Sequence, residues 1–238
     1  MSPQYAGAFC ARSLSALDGA MTDIDLVVTA IRKLGTTAPS VDRAWSRRAA
    51  SKVIDCVLSL RRRYDSFVVP RLDSFETSHP GVHTVRALAR LINSYSSPGT
   101  FMERVLNYRD PARAQTLSGV VTSLVDLLDQ DANASEDDVL TRWANEARPA
   151  DYRTVAVRGF GLAGYQYLRM LFGANTTKPD VHICRFVRNA VNRPVTDLAA
   201  LEILERAAPL AGVKLRDLDT TIWEASARPA SNGTKGSA

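Results

Sequence analysis

Two features of this sequence could do chemistry together. The first is Val157-Arg158-Gly159-Phe160-Gly161, an apolar residue followed by Gly-x-Gly between two helical stretches. Glycines at such a turn permit positive φ and let the backbone approach a neighbour closely. The helix that begins there has unsatisfied N–H groups in its first turn, so the turn predicts a site for an anion such as a DNA phosphate. The second feature is Asp180, 19 residues after Gly161, beyond a helix and a short loop. It opens a further helix with His182, Arg185 and Arg188 close by. An aspartate at that position caps the helix, and capping alone needs no chemistry. A Gly-x-Gly turn alone is equally well an ordinary connection between helices.

Other side chains are open to more than one reading. Arginine is clustered at Arg43, Arg47 and Arg48 and again at Arg61, Arg62 and Arg63. Guanidinium groups suit bidentate contact with phosphate, and they also suit a solvated helix face with acidic partners. Trp45, Tyr64, Trp143, Tyr165 and Tyr167 could stack on a base, although aromatics at helical spacing usually belong to a core. His79, His83 and His182 have no metal-ligand spacing; His182 reads as packing or hydrogen bonding behind Asp180. Cys10, Cys56 and Cys184 lie far apart, which excludes a structural zinc site of the usual spacing and a four-cysteine iron–sulfur cluster. An odd count without a framework fits a reducing compartment.

The order turn, helix, short loop, then Lys178-Pro179-Asp180-Val181-His182 opening a helix resembles the core of the helix-hairpin-helix DNA glycosylases. That superfamily includes endonuclease III and the 8-oxoguanine, 3-methyladenine and mismatch adenine glycosylases. Val157 to Gly161 resembles their Leu-Pro-Gly-Val-Gly hairpin, and Pro179 to His182 resembles their Val-Asp-Thr-His or Val-Asp-Val-His. Weaker similarity lies in Val57-Leu58-Ser59-Leu60-Arg61 and in Leu218-Asp219-Thr220-Thr221-Ile222-Trp223. The resemblance runs from about residue 45 to 225, at low identity outside a core of about thirty residues. The sequence departs from the family in two respects. Ala163 stands two residues after the second glycine, where bifunctional members carry a lysine, and the iron–sulfur cysteines of several subfamilies are absent. The resemblance is therefore to the monofunctional, cluster-free branch.

The resemblance implies that a base is flipped out of the duplex and its N-glycosidic bond hydrolysed, leaving an abasic site. Asp180 is then the catalytic carboxylate, stabilising an oxocarbenium-like sugar and orienting or deprotonating water. Gly159, Phe160, Gly161 and Ala163 contact a phosphate through the hairpin backbone, whose carbonyls in this family often also bind a monovalent cation. No other cofactor or metal is required. Lys178 is implied as a phosphate contact, Arg61 falls where the family places a wedge into the duplex, and Arg62 is a further phosphate contact. Damaged, mismatched or virally modified bases all remain open as substrate, in repair or in defence. The alternative is a non-catalytic DNA-binding protein that keeps the hairpin and uses Asp180 only as a cap. An Asp180 carboxylate facing an open cleft beside the hairpin separates the first reading from the second, in which it would be covered.

The elements that must position these residues are helical nearly everywhere. Apolar stripes of period 3.6 predict helices over 23–34, from a cap at Asp42 to a break before Pro70, and over 82–95, 100–107 and 110–129. Others follow Ser135, span 151–157, 162–172 and 180–191, and cover 196–211 and 215–225. Of the 238 residues, 45% are hydrophobic and 23% charged, a balance that excludes a disordered chain; the net charge of +5 favours nucleic acid only slightly. No apolar run reaches the roughly 18 residues a membrane span needs. No signal peptide is read in the first twenty residues, and Met21 offers an alternative start. The expectation is an all-α, two-lobed domain with a helix-hairpin-helix motif and a cleft between lobes. In it 1–41 complete the C-terminal lobe, 42–155 form the central lobe, 156–228 carry the hairpin and catalytic residues, and 229–238 are a disordered tail. The expected setting is a cytoplasmic monomer on double-stranded DNA, away from membranes.

Overall fold

The computed structural model describes residues 21–35 and 43–227, and within them every regular element is helical, with no strand. In chain order the α-helices are α1 (Asp23–Leu34), α2 (Arg43–Ser46), α3 (Ala49–Leu58), α4 (Val69–Ser78), α5 (Val85–Asn93), α6 (Pro98–Leu106) and α7 (Pro111–Asp129). They continue with α8 (Glu136–Glu146), α9 (Tyr152–Val155), α10 (Leu162–Leu171), α11 (Val181–Val191), α12 (Asp197–Leu210) and α13 (Leu215–Ala227). The expected cap at Asp42, the first twenty residues and the 229–238 tail lie outside the described residues.

Helix starts follow short polar side chains that accept from free amides of the first turn. Thr22, Thr84, Ser97, Asp110, Ser135, Asp180 and Thr196 each do so. One expectation changes. The long helix expected before Pro70 breaks between α2 and α3, where Arg48 is extended (φ −63°, ψ 154°). Arg47 forks between Asp73 and Glu76, each at 2.8 Å, and Arg48 donates to the carbonyls of Glu76, His79 and Pro80, so tertiary bonds replace helix continuity. The break before Pro70 is present at the arginines: α3 ends at Leu58, and residues 59–63 are not helical. A π-helical turn, Tyr64–Val68, runs straight into α4, where Pro70 sits in the first turn and needs no N–H donor.

The apolar side chains form two cores. The first gathers α2 to α8 and α10, with Ile54, Leu58, Leu72, Phe75, Phe101 and Leu117 fully enclosed. The second joins α1 to α11, α12 and α13 through Val27, Ile31, Ile183, Val187, Leu204 and Leu218. The division falls later than the residue 155/156 boundary expected from sequence. Phe160, Tyr165, Leu168, Leu171, Phe172 and Ala174 belong to the first core, and the second resumes at Ile183. The cause is close packing of α10 on α3. A Cβ at Gly164 would lie 2.9 Å from the Phe160 ring and 3.2 Å from Leu60, and the Cys56 thiol donates to the Gly164 carbonyl at 3.2 Å.

The 157–161 turn is fixed from α7. Gly159 has φ +83°, and a Cβ there would meet Thr116 Oγ1 at 2.9 Å. The Thr116 hydroxyl shares its proton between the carbonyls of Arg158 (2.9 Å) and Ala112 (3.0 Å). Gly119 makes room for Val157, whose methyl carbon would lie 2.9 Å from an added Cβ. Gly161 differs: its φ is −96° and open space surrounds its missing Cβ. Gly159→Ala is expected to destabilise the fold by about 1–3 kcal/mol, from left-handed strain and the clash with Thr116. Gly161→Ala is expected to change stability by less than about 0.5 kcal/mol, because reduced unfolded-state entropy offsets a slightly poorer cap. Denaturant titration of both variants checks the contrast, and equal losses would contradict this account of the turn.

Candidate functional site

The segment from Thr176 to Asp180 crosses from the first core to the second, and it is held at both ends. Gln166 on α10 donates from Nε2 to Thr176 Oγ1 at 2.8 Å. Gln166 is in turn held by Arg169, whose Nη1 donates to Gln166 Oε1 at 2.7 Å while Nε reaches the Ala144 carbonyl at 2.9 Å. From the other side, Asp219 on α13 accepts at Oδ1 from the Thr177 hydroxyl (2.5 Å) and from the Lys178 N–H (2.9 Å). The Asp180 N–H then donates to the Lys178 carbonyl at 2.7 Å, closing a tight bend before α11.

Asp180 is half-buried. Its Oδ1 accepts from the amides of His182 (2.8 Å) and Ile183 (3.2 Å), as a helix cap does. Its Oδ2 accepts no hydrogen bond from any described residue. Burial pushes the Asp219 carboxyl up to about 6, with the Asp180 charge adding to the rise; the bonds from Thr177 and Lys178 and the Lys178 ammonium act against it. His182 keeps a buried Nδ1 with no hydrogen-bond partner among the described residues.

Lys178 is half-buried, with its ammonium 4.4 Å from the centre of the Tyr167 ring. Tyr167 belongs to a polar group that the sequence did not reveal. Asp55, fully enclosed on α3, accepts from the Tyr167 hydroxyl (3.1 Å) at Oδ1 and from the Tyr64 hydroxyl (2.8 Å) at Oδ2. The one available signal was an acid set in the apolar run Val53-Ile54-Asp55-Cys56-Val57. Its partners lie 9 and 112 residues away, beyond the reach of local pattern.

The other expected residues are not equivalent. The amides of Leu162, Ala163 and Gly164 at the start of α10 meet no acceptor among the described residues, and Gly161 contributes no side-chain cap. Phe160 departs from the expected phosphate contact. Its ring is buried against Gly164 and its N–H donates to the Val157 carbonyl at 3.0 Å, so it holds the turn's shape instead. Arg61 is exposed in the left-handed region at φ 62°, a strained conformation for arginine. Arg62 is already engaged: Nη2 and Nε donate to the Tyr108 hydroxyl at 2.7 and 3.1 Å, and Asp110 lies 3.9 Å away. Of the aromatic candidates, Trp143 packs edge to face against Tyr165 and against Phe172, and Trp45 lies under Arg216. Neither described cysteine is a poised nucleophile. Burial raises the Cys56 thiol strongly, and burial with a bond to Asp197 pushes Cys184 up to about 12.

Fold and site together define an all-helical domain with two apolar cores and a carboxylate at a helix start on the seam between them. Residues 25–227 match the model of a family described as a domain of unknown function, DUF8548, and the chain belongs to that family. Neither the curated proteins nor the solved structures contain a match to the chain. No helix among the described residues is long and apolar enough to cross a membrane.

The raised Asp219 carboxyl has a consequence for stability. Its folded pKa, about 6, lies above the ordinary 3.8, so its contribution is fully present below about pH 4 and is lost as pH rises through about 6. Asp219→Asn keeps the acceptor for Thr177 and Lys178 and removes the desolvated charge. The variant is expected to gain on the native protein between pH 4 and 7 by roughly 2 kcal/mol, discounting the shift for partial exposure. Denaturant titrations of both proteins across that range check this, and parallel profiles would contradict it.

Proposed function

We propose that this protein is a monofunctional DNA glycosylase that flips a base from double-stranded DNA and hydrolyses its N-glycosidic bond. The observation that carries this reading is the division of labour in the Asp180 carboxylate. Oδ1 caps α11, while Oδ2 has no partner among the described residues and the side chain stays half-exposed on the seam between the cores. A carboxylate covered on both oxygens would instead fit a cap with no further role. In this reading the two cores are two lobes and the seam is the cleft. The segments α9 and α10 with the 157–161 turn are the helix-hairpin-helix, consistent with the similarity of Val157 to Gly161 to the glycosylase hairpin.

The chemistry follows from charge. Bond breaking leaves positive charge on the sugar ring, and a carboxylate beside it stabilises that charge and orients or deprotonates the attacking water. The unsatisfied amides of Leu162, Ala163 and Gly164 suit a phosphate next to the flipped nucleotide, with the turn carbonyls able to hold a monovalent cation. Arg61, exposed and strained, suits the wedge. Ala163 offers no amine, so the product is an intact abasic strand. The proposed setting is a cytoplasmic monomer.

Asp180→Asn is expected to lower base release by at least a hundredfold while leaving DNA affinity and melting temperature nearly unchanged, because asparagine still caps α11. Base release by mass spectrometry, with binding and melting on the same samples, checks it. Full activity in the folded variant would overturn the site, and no release by the native protein would favour a non-catalytic DNA-binding role. No borohydride-trapped adduct is expected; one would implicate Lys178. In DNA binding, Arg61→Ala is expected to reduce the slope of affinity against salt by about one contact, and Arg62→Ala by less, because Tyr108 and Asp110 already hold Arg62. Titrations at several salt concentrations read both slopes, and an equal or larger loss at Arg62 would contradict the ranking.

A further inference from the structure

The ammonium of Lys178 is held in place without a hydrogen-bond acceptor among the described residues. Asp219 fixes the backbone at Lys178, the Tyr167 ring supports the side chain at 4.4 Å, and Asp55 in turn holds that ring through the tyrosine hydroxyl. Tyr167 packs its body against the first core, so the ring is a fixed platform. Lys178 forms no ion pair and donates no side-chain hydrogen bond to any described residue. It stands two residues before Asp180, on the same bend. A positive charge there, on an aromatic face already occupied by a cation, is hostile to a second cation and receptive to an acceptor oxygen.

We propose that Lys178 sets the substrate class as bases that present carbonyl oxygens, neutral or anionic, and excludes bases made cationic by alkylation. This rests on the glycosylase reading above. The reason lies in the step itself. When the C1′–N bond breaks, its electron pair stays with the departing base, and negative charge spreads onto the carbonyl oxygens. The Lys178 ammonium stabilises that charge by hydrogen bonding, while Asp180 faces the positive charge on the sugar. Water adds at C1′ and gives its proton to Asp180 or to solvent, and the base takes up a proton from solvent as it leaves. A base that is already cationic leaves as a neutral molecule, so it gains nothing from the ammonium and is repelled by it. Two opposite charges, two residues apart on one bend, thus match the two ends of the breaking bond.

The test uses the full chain on duplexes containing uracil, hypoxanthine, xanthine or 8-oxoguanine, and on duplexes containing 7-methylguanine or 3-methyladenine. Released bases are quantified for the native protein, Lys178→Met and Lys178→Arg, with melting temperatures to establish that each is folded. The native protein is expected to release at least one carbonyl-bearing base and to act poorly on the methylated cations. Lys178→Met, which keeps an unbranched side chain against Tyr167, is expected to lower the ratio of kcat/KM on the carbonyl base to that on the cations at least tenfold. Lys178→Arg is expected to retain part of the preference. Preferential release of the cationic bases by the native protein, or an unchanged preference in folded Lys178→Met, would overturn the assignment and leave the glycosylase reading standing. Release of no base from any duplex would overturn both.

Discussion

The tie between Asp219 and the Thr177–Lys178 backbone is the constraint on which the rest of the site depends. The polar segment that carries the chain from one helical core to the other has no regular structure of its own to hold its shape. A carboxylate from α13 gives it one, accepting from a hydroxyl and an amide at once. The cost of this arrangement is a desolvated acid close to another acid, reflected in the raised titration of Asp219. Remove the tie and the bend that presents Asp180 loses its bonds to α13, while Gln166 still holds Thr176 and Asp180 still caps α11.

The anchoring extends outward in layers. The Gln166–Arg169–Ala144 chain ties the start of the segment to α8 and α10, and the Thr116 hydroxyl ties the neighbouring turn to α7. Buried polar groups that satisfy one another in this way specify one arrangement of elements more sharply than apolar contact does. Close approach does the rest. Gly164 and Gly119 each occupy a place where a Cβ would collide with a neighbouring side chain, so α10 and the turn fit against α3 and α7 without a gap.

Much of this was legible from local sequence, and the limit is physical. Helix starts at Asp110, Ser135, Asp180 and Thr196 were readable because a cap is a bond between residues two or three apart. The positive φ at Gly159 followed from the same locality. The break at Arg47–Arg48 was not readable, since it depends on Asp73 and Glu76 on a helix that follows much later. The break before Pro70 lies earlier, after Leu58, and Pro70 itself falls in the first turn of α4, where proline starts a helix without penalty. Asp55 and Arg62 share the same difficulty: each has its character set by a tyrosine distant in sequence.

The route of the chain through the two cores bears on how the protein is made. The first core draws on one continuous stretch, from Ala44 to Ala174, whereas the second needs α1 from the beginning of the described chain and α11 to α13 from its end. A nascent chain leaving the ribosome can therefore complete the first core while α1 still waits, amphipathic and uncovered, for helices not yet synthesised. The seam that carries Asp180 closes last in synthesis, once α13 has emerged with the Asp219 that ties it.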